Sequence, residues 1–148
     1  MNNKLDVVGI GNAMVDAIIP SNQSEIEKHE INRDSMNLID ENLKNNLHKN
    51  YSIKEMAGGG SLGNSMFGIT SFGGNGSFIG KIKNDEIGVY LQKDMMREGL
   101  RFPLGFTSPD ISTGCCTIFV EEDGTRTCLL YTSPSPRDVE ESRMPSSA

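Results

Sequence analysis

The chain lacks the cysteine pattern of a disulfide framework or a metal clip. Cys115 and Cys116 are adjacent and Cys128 stands alone, so no C-x-x-C pair exists. On a strand, residues 115 and 116 point to opposite faces, where a free thiol ordinarily serves as a small buried hydrophobe. Basic excess is missing as well: 14 Lys and Arg stand against 20 Asp and Glu, for a formal net charge of −6. No local run of basic residues offsets it, which argues against a nucleic-acid surface. Long apolar runs are also missing. The run from Leu5 to Ile10 is too short for a signal-peptide core, and no stretch approaches the length of a membrane-spanning helix. No membrane partner is therefore expected, and the chain reads as cytoplasmic. The two histidines, His29 and His48, lie in polar, helix-like surroundings, so a Cys/His nucleophilic pair is not indicated.

What is present is the pattern of one α/β domain. The length of 148 residues fits a single domain. Leu5 to Gly11 has the β-branched run and glycine stop of a buried strand, and Ala13 to Ile19 reads as a second strand ended by Pro20. The two are expected to pair antiparallel around Asn12. Residues 21–33 open with a short helix. From Asp34 onward, Ile39, Leu43 and Leu47 recur every four residues, which predicts an amphipathic helix fading near Tyr51. Ser77 to Gly80 reads as a strand. Asn84-Asp85-Glu86 opens the best-marked helix, with Ile87, Tyr90, Leu91 and Met95 as its apolar stripe and Gly99 as its stop. Gly114 to Val120 is a strand, turned at Glu121 to Gly124 into a return that starts at Thr125.

The stretch Ala57 to Asn64 carries three consecutive glycines, Gly58, Gly59 and Gly60. Each adds backbone freedom that folding must remove, so the run needs a reason: a positive φ, or an approach closer than a Cβ allows. It leads into Leu62, Met66, Phe67, Ile69 and Phe72 at helical spacing, with Ser61 as the expected cap and Asn64 in the first turn. A glycine turn feeding a helix N-terminus presents backbone amides to ligand oxygens. A plain tight turn is the bland alternative. Gly9 and Gly11 invite a dinucleotide-binding reading, and with it a dehydrogenase, but Met14 stands where that fingerprint needs a third small residue and a strand follows instead of a helix.

Beyond Cys128 the periodicity stops, and Pro134, Pro136 and Pro145 gather with serines. Leu129 to Asp138 and Arg143 to Ala148 are similar to translated sequencing-adapter read-through. Residues 128–148 are therefore expected to be a disordered, non-native tail, and residues 1–127 the N-terminal part of a longer protein.

In order along residues 5–127, the pieces resemble the N-terminal half of a ribokinase-type (PfkB) kinase. They are Val8 to Asn12 with Asp16, Gly59 to Asn64, Phe78 to Lys81 with Asp85 and Gly88, Gly99, Ser112 to Gly114, and Asp123 to Thr127. Asn12 to Asp16 and Met36 to Asp40 are most similar to the adenosine-kinase-like bacterial branch. Lys83 departs from the pattern, standing where a glycine is usual.

The resemblance implies a ribokinase-like α/β fold with a small β-rich lid, built from about 14–56 and 113–127. It implies transfer of the γ-phosphoryl of ATP to a hydroxymethyl group of a sugar or nucleoside. Asn12, Asp16, Gly59, Gly60 and Asn64 would bind the acceptor, and Arg126 would be a lid arginine near the transferred phosphate. The residue chemistry agrees, since an ionised Asp offers only acceptors and can take hydrogen bonds from two adjacent hydroxyls. For Asp16, Asn64 and Arg126 the bland alternatives are a surface carboxylate, a helix cap and a solvated hairpin arginine. ATP and Mg2+ are implied for the whole enzyme, and two copies would pair through the lid. The family's catalytic aspartate lies in a Gly-Ala-Gly-Asp-type motif that this chain does not contain. No catalytic or metal-binding residue is therefore expected here, and the chain alone is expected to be inactive. A non-catalytic sugar- or nucleoside-binding module using the same pocket is the alternative.

Overall fold

The computed structural model describes residues 4–103, 105–106 and 110–132. Its first strand, β1 (Val7–Ile10), pairs in parallel with β5 (Gly76–Ile79), and Val8 and Ile10 stay about half exposed on the face away from the core. The covered face packs on α3 (Ser61–Ser71): at Gly9 a Cβ would stand 3.0 Å from Met66 Sδ and 3.1 Å from Leu62 Cδ1. Beyond β5 runs α4 (Glu86–Arg97), started by Asp85, whose carboxylate accepts from the Gly88 amide at 2.7 Å. The same carboxylate takes the Thr113 amide at 3.0 Å and the Thr113 hydroxyl at 2.8 Å, tying the start of α4 to the residue before β6 (Gly114–Val120).

A second sheet has five strands. Its order is β3 (Met36–Leu38), β7 (Arg126–Tyr131), β6, β2 (Met14–Pro20) and β4 (Glu55–Gly59). β2 pairs in parallel with β6 and antiparallel with β4. Strand alternation sends Val15, Ala17 and Ile19 to the back face, with Cys115, Thr117 and Phe119 beside them and Thr127 and Leu129 on the next strand, all essentially inaccessible. The inner end of this back face joins Phe78, Met66, Leu91 and Met95 in the main core. The outer end lies beneath α1 (Gln23–Glu27) and α2 (Glu41–Asn50), where Ile19, Phe119 and Leu129 meet Ile26 and Leu47. Each such side chain contributes about 1.5–3 kcal/mol on burial.

Four expectations need correction. The first two strands do not pair: after Gly11 the chain leaves one sheet for the other, and β1 finds β5 instead. The helix expected from Asp34 begins at Glu41, because Asp40 caps it by accepting from the Leu43 amide, and residues 36–38 join β7 as a strand. Ala57 and its glycines are the end of a strand rather than a turn, with Gly60 as the cap position of α3 and Ser61 inside the helix. Finally, β7 runs on through Cys128–Tyr131, where Leu129 and Tyr131 continue its buried alternation; those four residues are sheet and not tail. Residues 133–148 of the expected tail lie outside the described residues. Among the described residues no helix is long and apolar enough to cross a membrane.

Candidate functional site

Asp16 sits on β2 between buried Val15 and Ala17, so its side chain takes the open face of the five-stranded sheet. It lies in register with Ala57 on one side and Cys116 on the other. The carboxylate reaches over Gly59: a Cβ there would be 2.5 Å from Asp16 Cγ and from both carboxylate oxygens. No ion pair reaches Asp16 among the described residues. Burial therefore acts unopposed and raises its pKa from the ordinary carboxylate value.

Asn12 stands in the link between β1 and β2. Its Oδ1 is buried and has no hydrogen-bond partner among the described residues. An unpaired buried acceptor costs about 1–3 kcal/mol, so it marks a place for a donor from outside the described residues.

Gly60 has φ +78, a conformation that the run requires of a glycine. An added Cβ would meet only ordinary neighbours, Met14 Sδ at 3.7 Å and the Asn12 carbonyl at 3.9 Å. The close approach in the run belongs to Gly59, and there it admits Asp16. No side chain caps α3, whose first amides are left open beside Asn12 and Gly60. Asn64 lies in this first turn, exposed, with its amide bonded to the Gly60 carbonyl at 2.9 Å.

The structure thus gathers Asn12, Asp16, Gly59, Gly60 and Asn64 where β2, β4 and α3 meet. Arg126 is not with them. It starts β7 opposite Val120, at the far end of the sheet from the row holding Asp16 and Cys116, roughly 13 Å away at 3.3 Å per residue. It shares the open face with Asp16.

Residue-by-residue reading missed that face. Beyond Asp16 it continues through Cys116 and Ile118 on β6, Cys128 and Leu130 on β7, and Met36 and Leu38 on β3. Met36 is 68% and Leu38 75% exposed, so nothing among the described residues covers the far side. Burial and the neighbouring Cys128 push the Cys116 thiol up, which keeps it a neutral, apolar group. The signal that finds this surface is the period of two in residues 114–120 and 126–131, with apolar residues on both faces instead of one. Among the described residues no group of three His, Cys, Asp or Glu side chains is placed to hold a metal ion.

The sequence matches the family model "pfkB family carbohydrate kinase" over residues 5–141. Among solved structures, the adenosine kinase from Sinorhizobium meliloti superposes with a TM-score of 0.76 at 34% identity, covering 93% of this chain and 43% of that one. A probable sugar kinase from Rhizobium etli gives a TM-score of 0.72 at 31% identity, covering 92% and 42%. A curated relative, the probable chloroplastic fructokinase-6 of Arabidopsis thaliana, is 31% identical over 84 residues, which are 53% of this chain and 21% of that protein. The chain spans less than half the length of each of these relatives.

Proposed function

The chain belongs to the pfkB family of carbohydrate kinases, and we propose that it supplies the acceptor-binding half of an ATP-dependent kinase whose acceptor is a nucleoside. The observation that carries this reading is the orphaned Asn12 Oδ1 together with the Asp16 carboxylate, which no ion pair reaches among the described residues. A ribose offers matching donors. Two adjacent ring hydroxyls donate to the Asp16 oxygens, and Asn12 Oδ1 takes a third donor. The open amides of α3 and the Asn64 side chain close the ring of polar groups. A ligand lacking these hydroxyls leaves buried acceptors unpaired and is penalised strongly.

The sugar alone does not use the apolar surface that continues from Asp16 to Cys116, Ile118 and Leu130. A flat purine does, and the similarity to an adenosine kinase supports that choice. The residues described here do not fit ATP or Mg2+: they offer no metal cluster, and the sequence has no Gly-Ala-Gly-Asp motif to act as base and anion hole. Those groups belong to a part of the enzyme beyond this chain. The half-exposed Val8 and Ile10 on β1 support the same division, since they offer an apolar face for further sheet or helix to cover. Pairing of two copies through the lid would use the open face too, because α1 and α2 cover the other, and would compete with the acceptor.

Isothermal titration of the chain with adenosine, ribose and fructose tests the reading. Adenosine binding at least tenfold tighter than ribose is expected, lost in Asp16→Ala. Equal affinity for adenosine and ribose overturns the nucleoside assignment, and no binding of any of them overturns the acceptor site. The second reading, a binding module that never performs transfer, is favoured by the missing motif. Transfer from labelled ATP to adenosine by this chain alone refutes both the half-enzyme and the binding module. Extending the reading frame from genomic DNA discriminates them, a downstream Gly-Ala-Gly-Asp motif favouring the half-enzyme and its absence the binding module.

A further inference from the structure

We propose that Asp94, with Tyr90 beside it, is a positioning residue that holds the glycine run in the shape the acceptor needs. The inference rests on the acceptor reading above and adds a helix to it. β4 is the edge strand of its sheet, so one side of its backbone has no strand to bond among the described residues. α4 takes that place with side chains. The Tyr90 hydroxyl donates to the Met56 carbonyl, and the Gly58 amide donates to Asp94 Oδ2 at 2.9 Å. Asp94 is only 6% exposed, and its other oxygen is paired with the guanidinium of Arg97.

Gly58 is held from the side as well. A Cβ there would stand 2.7 Å from Phe67 Cζ and 3.0 Å from Asp94 Oδ2, so the glycine is the condition for both contacts. Phe67 comes from α3 and Asp94 from α4, which brings two helices of the main core onto one residue of the lid sheet. The next residue, Gly59, lies beneath the Asp16 carboxylate, and the next, Gly60, carries the positive φ that starts α3. Three glycines in a row have little conformational preference of their own. A hydrogen bond from a backbone amide to an ionised carboxylate is stronger than one to a neutral acceptor, which suits it to fix such a segment. Among the described residues Asp94 bonds Gly58 and Arg97, not Asp16. It acts through Gly58 on where Gly59 and Gly60 stand.

A merely structural role, closing a sheet edge, predicts lost stability without loss of local order in the glycine run. The test is amide hydrogen exchange at Gly59 and Gly60 in the 15N-labelled chain, with adenosine titration and urea unfolding on the same samples. In Asp94→Ala both amides are expected to exchange at least tenfold faster and adenosine to bind at least tenfold more weakly, with most of both restored in Asp94→Asn, which keeps an acceptor oxygen. Leu47→Ala, in the separate cluster under α2, lowers stability and is expected to leave both readouts unchanged. Unchanged exchange at Gly59 and Gly60 in a folded Asp94→Ala chain overturns the positioning role, as does an equal effect of Leu47→Ala. If Asp94→Ala does not fold, Tyr90→Phe, which removes the bond to the Met56 carbonyl, carries the same comparison against wild type. Failure of the wild-type chain to bind adenosine overturns the acceptor reading alone, because the exchange result still decides whether Asp94 orders the run.

Discussion

The Asp16 carboxylate occupies the volume that a side chain at Gly59 would need, with all three carboxyl heavy atoms 2.5 Å from the position of a Cβ. The two residues come from neighbouring strands, and a side chain at residue 59 would displace the carboxylate.

Gly59→Ala should therefore cost about 1–3 kcal/mol by overpacking, read from urea unfolding, and abolish adenosine binding as Asp16 is pushed aside. Gly68→Ala is the control. It lies within α3 with open space at the Cβ position, and should gain about 1 kcal/mol from helix propensity with unchanged binding.

Asp16→Asn should separate stability from binding. The folded pKa of Asp16 is raised by burial, so the stability linked to its neutral form is fully present below the unfolded value of 3.8 and is lost as pH rises through the folded value. Removing the charge should make the variant more stable than wild type at pH 7, with the advantage vanishing near pH 3, while adenosine binding disappears. Urea unfolding at the two pH values, with titration at pH 7, checks both halves.

His48 should destabilise the chain on the acid side. It lies against the Thr117 hydroxyl at 2.9 Å and the Cys115 thiol at 3.9 Å, and burial, with Lys44 nearby, lowers its pKa from 6.5 against a smaller opposing effect of Glu86. A lowered folded pKa means the stability it supports is complete above 6.5 and lost as pH falls through the folded value. His48→Gln should flatten the fall in stability between pH 7 and 5; an unaltered profile would show that other groups cause it.

Asp85→Ala should cost about 3 kcal/mol. The variant loses the cap of α4 and leaves the Thr113 amide and hydroxyl without their acceptor. Asp85→Asn keeps one acceptor oxygen and should cost roughly half as much in urea unfolding.

The thiols should react in a fixed order. Burial pushes Cys115 up to about 12, and its side chain is inaccessible, whereas Cys128 is only partly buried. Iodoacetamide at pH 8 should modify Cys128 first and reach Cys115 only in urea, as mass spectrometry would show.

Much of this architecture is legible in the sequence where one local signal dominates. Asn84-Asp85-Glu86 marked the start of α4, and Gly88 proves indispensable because a Cβ would lie 2.1 Å from the Lys83 carbonyl. The turn at Glu121 to Gly124 marked the β6–β7 hairpin. The candidate residues came from an ordered resemblance rather than from any one motif, and the structure places five of them where β2, β4 and α3 meet. What stayed hidden depends on long-range pairing. Met36–Leu38 has no strand signature of its own and becomes one only because β7 lies beside it. Ala57 to Gly59 reads as a turn by composition, and is a strand because α4 satisfies its outer edge. Asp94 carries no sequence signal of its own, since nothing in its neighbours in sequence announces that Gly58 will donate to it.

The parallel pairing of β2 with β6 joins Met14 to Gly114 and Pro20 to Val120, so the central ladder of the lid links segments about a hundred residues apart in the chain. Contacts of such separation form slowly, because the intervening loop must close before any of them is rewarded. On a ribosome, β2 waits with only β4 to pair until residue 120 has emerged, and its apolar neighbours wait with it. The lid is therefore the late-assembling part of the molecule, and a translation pause or a chaperone acting between residues 60 and 114 should decide how much of the protein escapes aggregation.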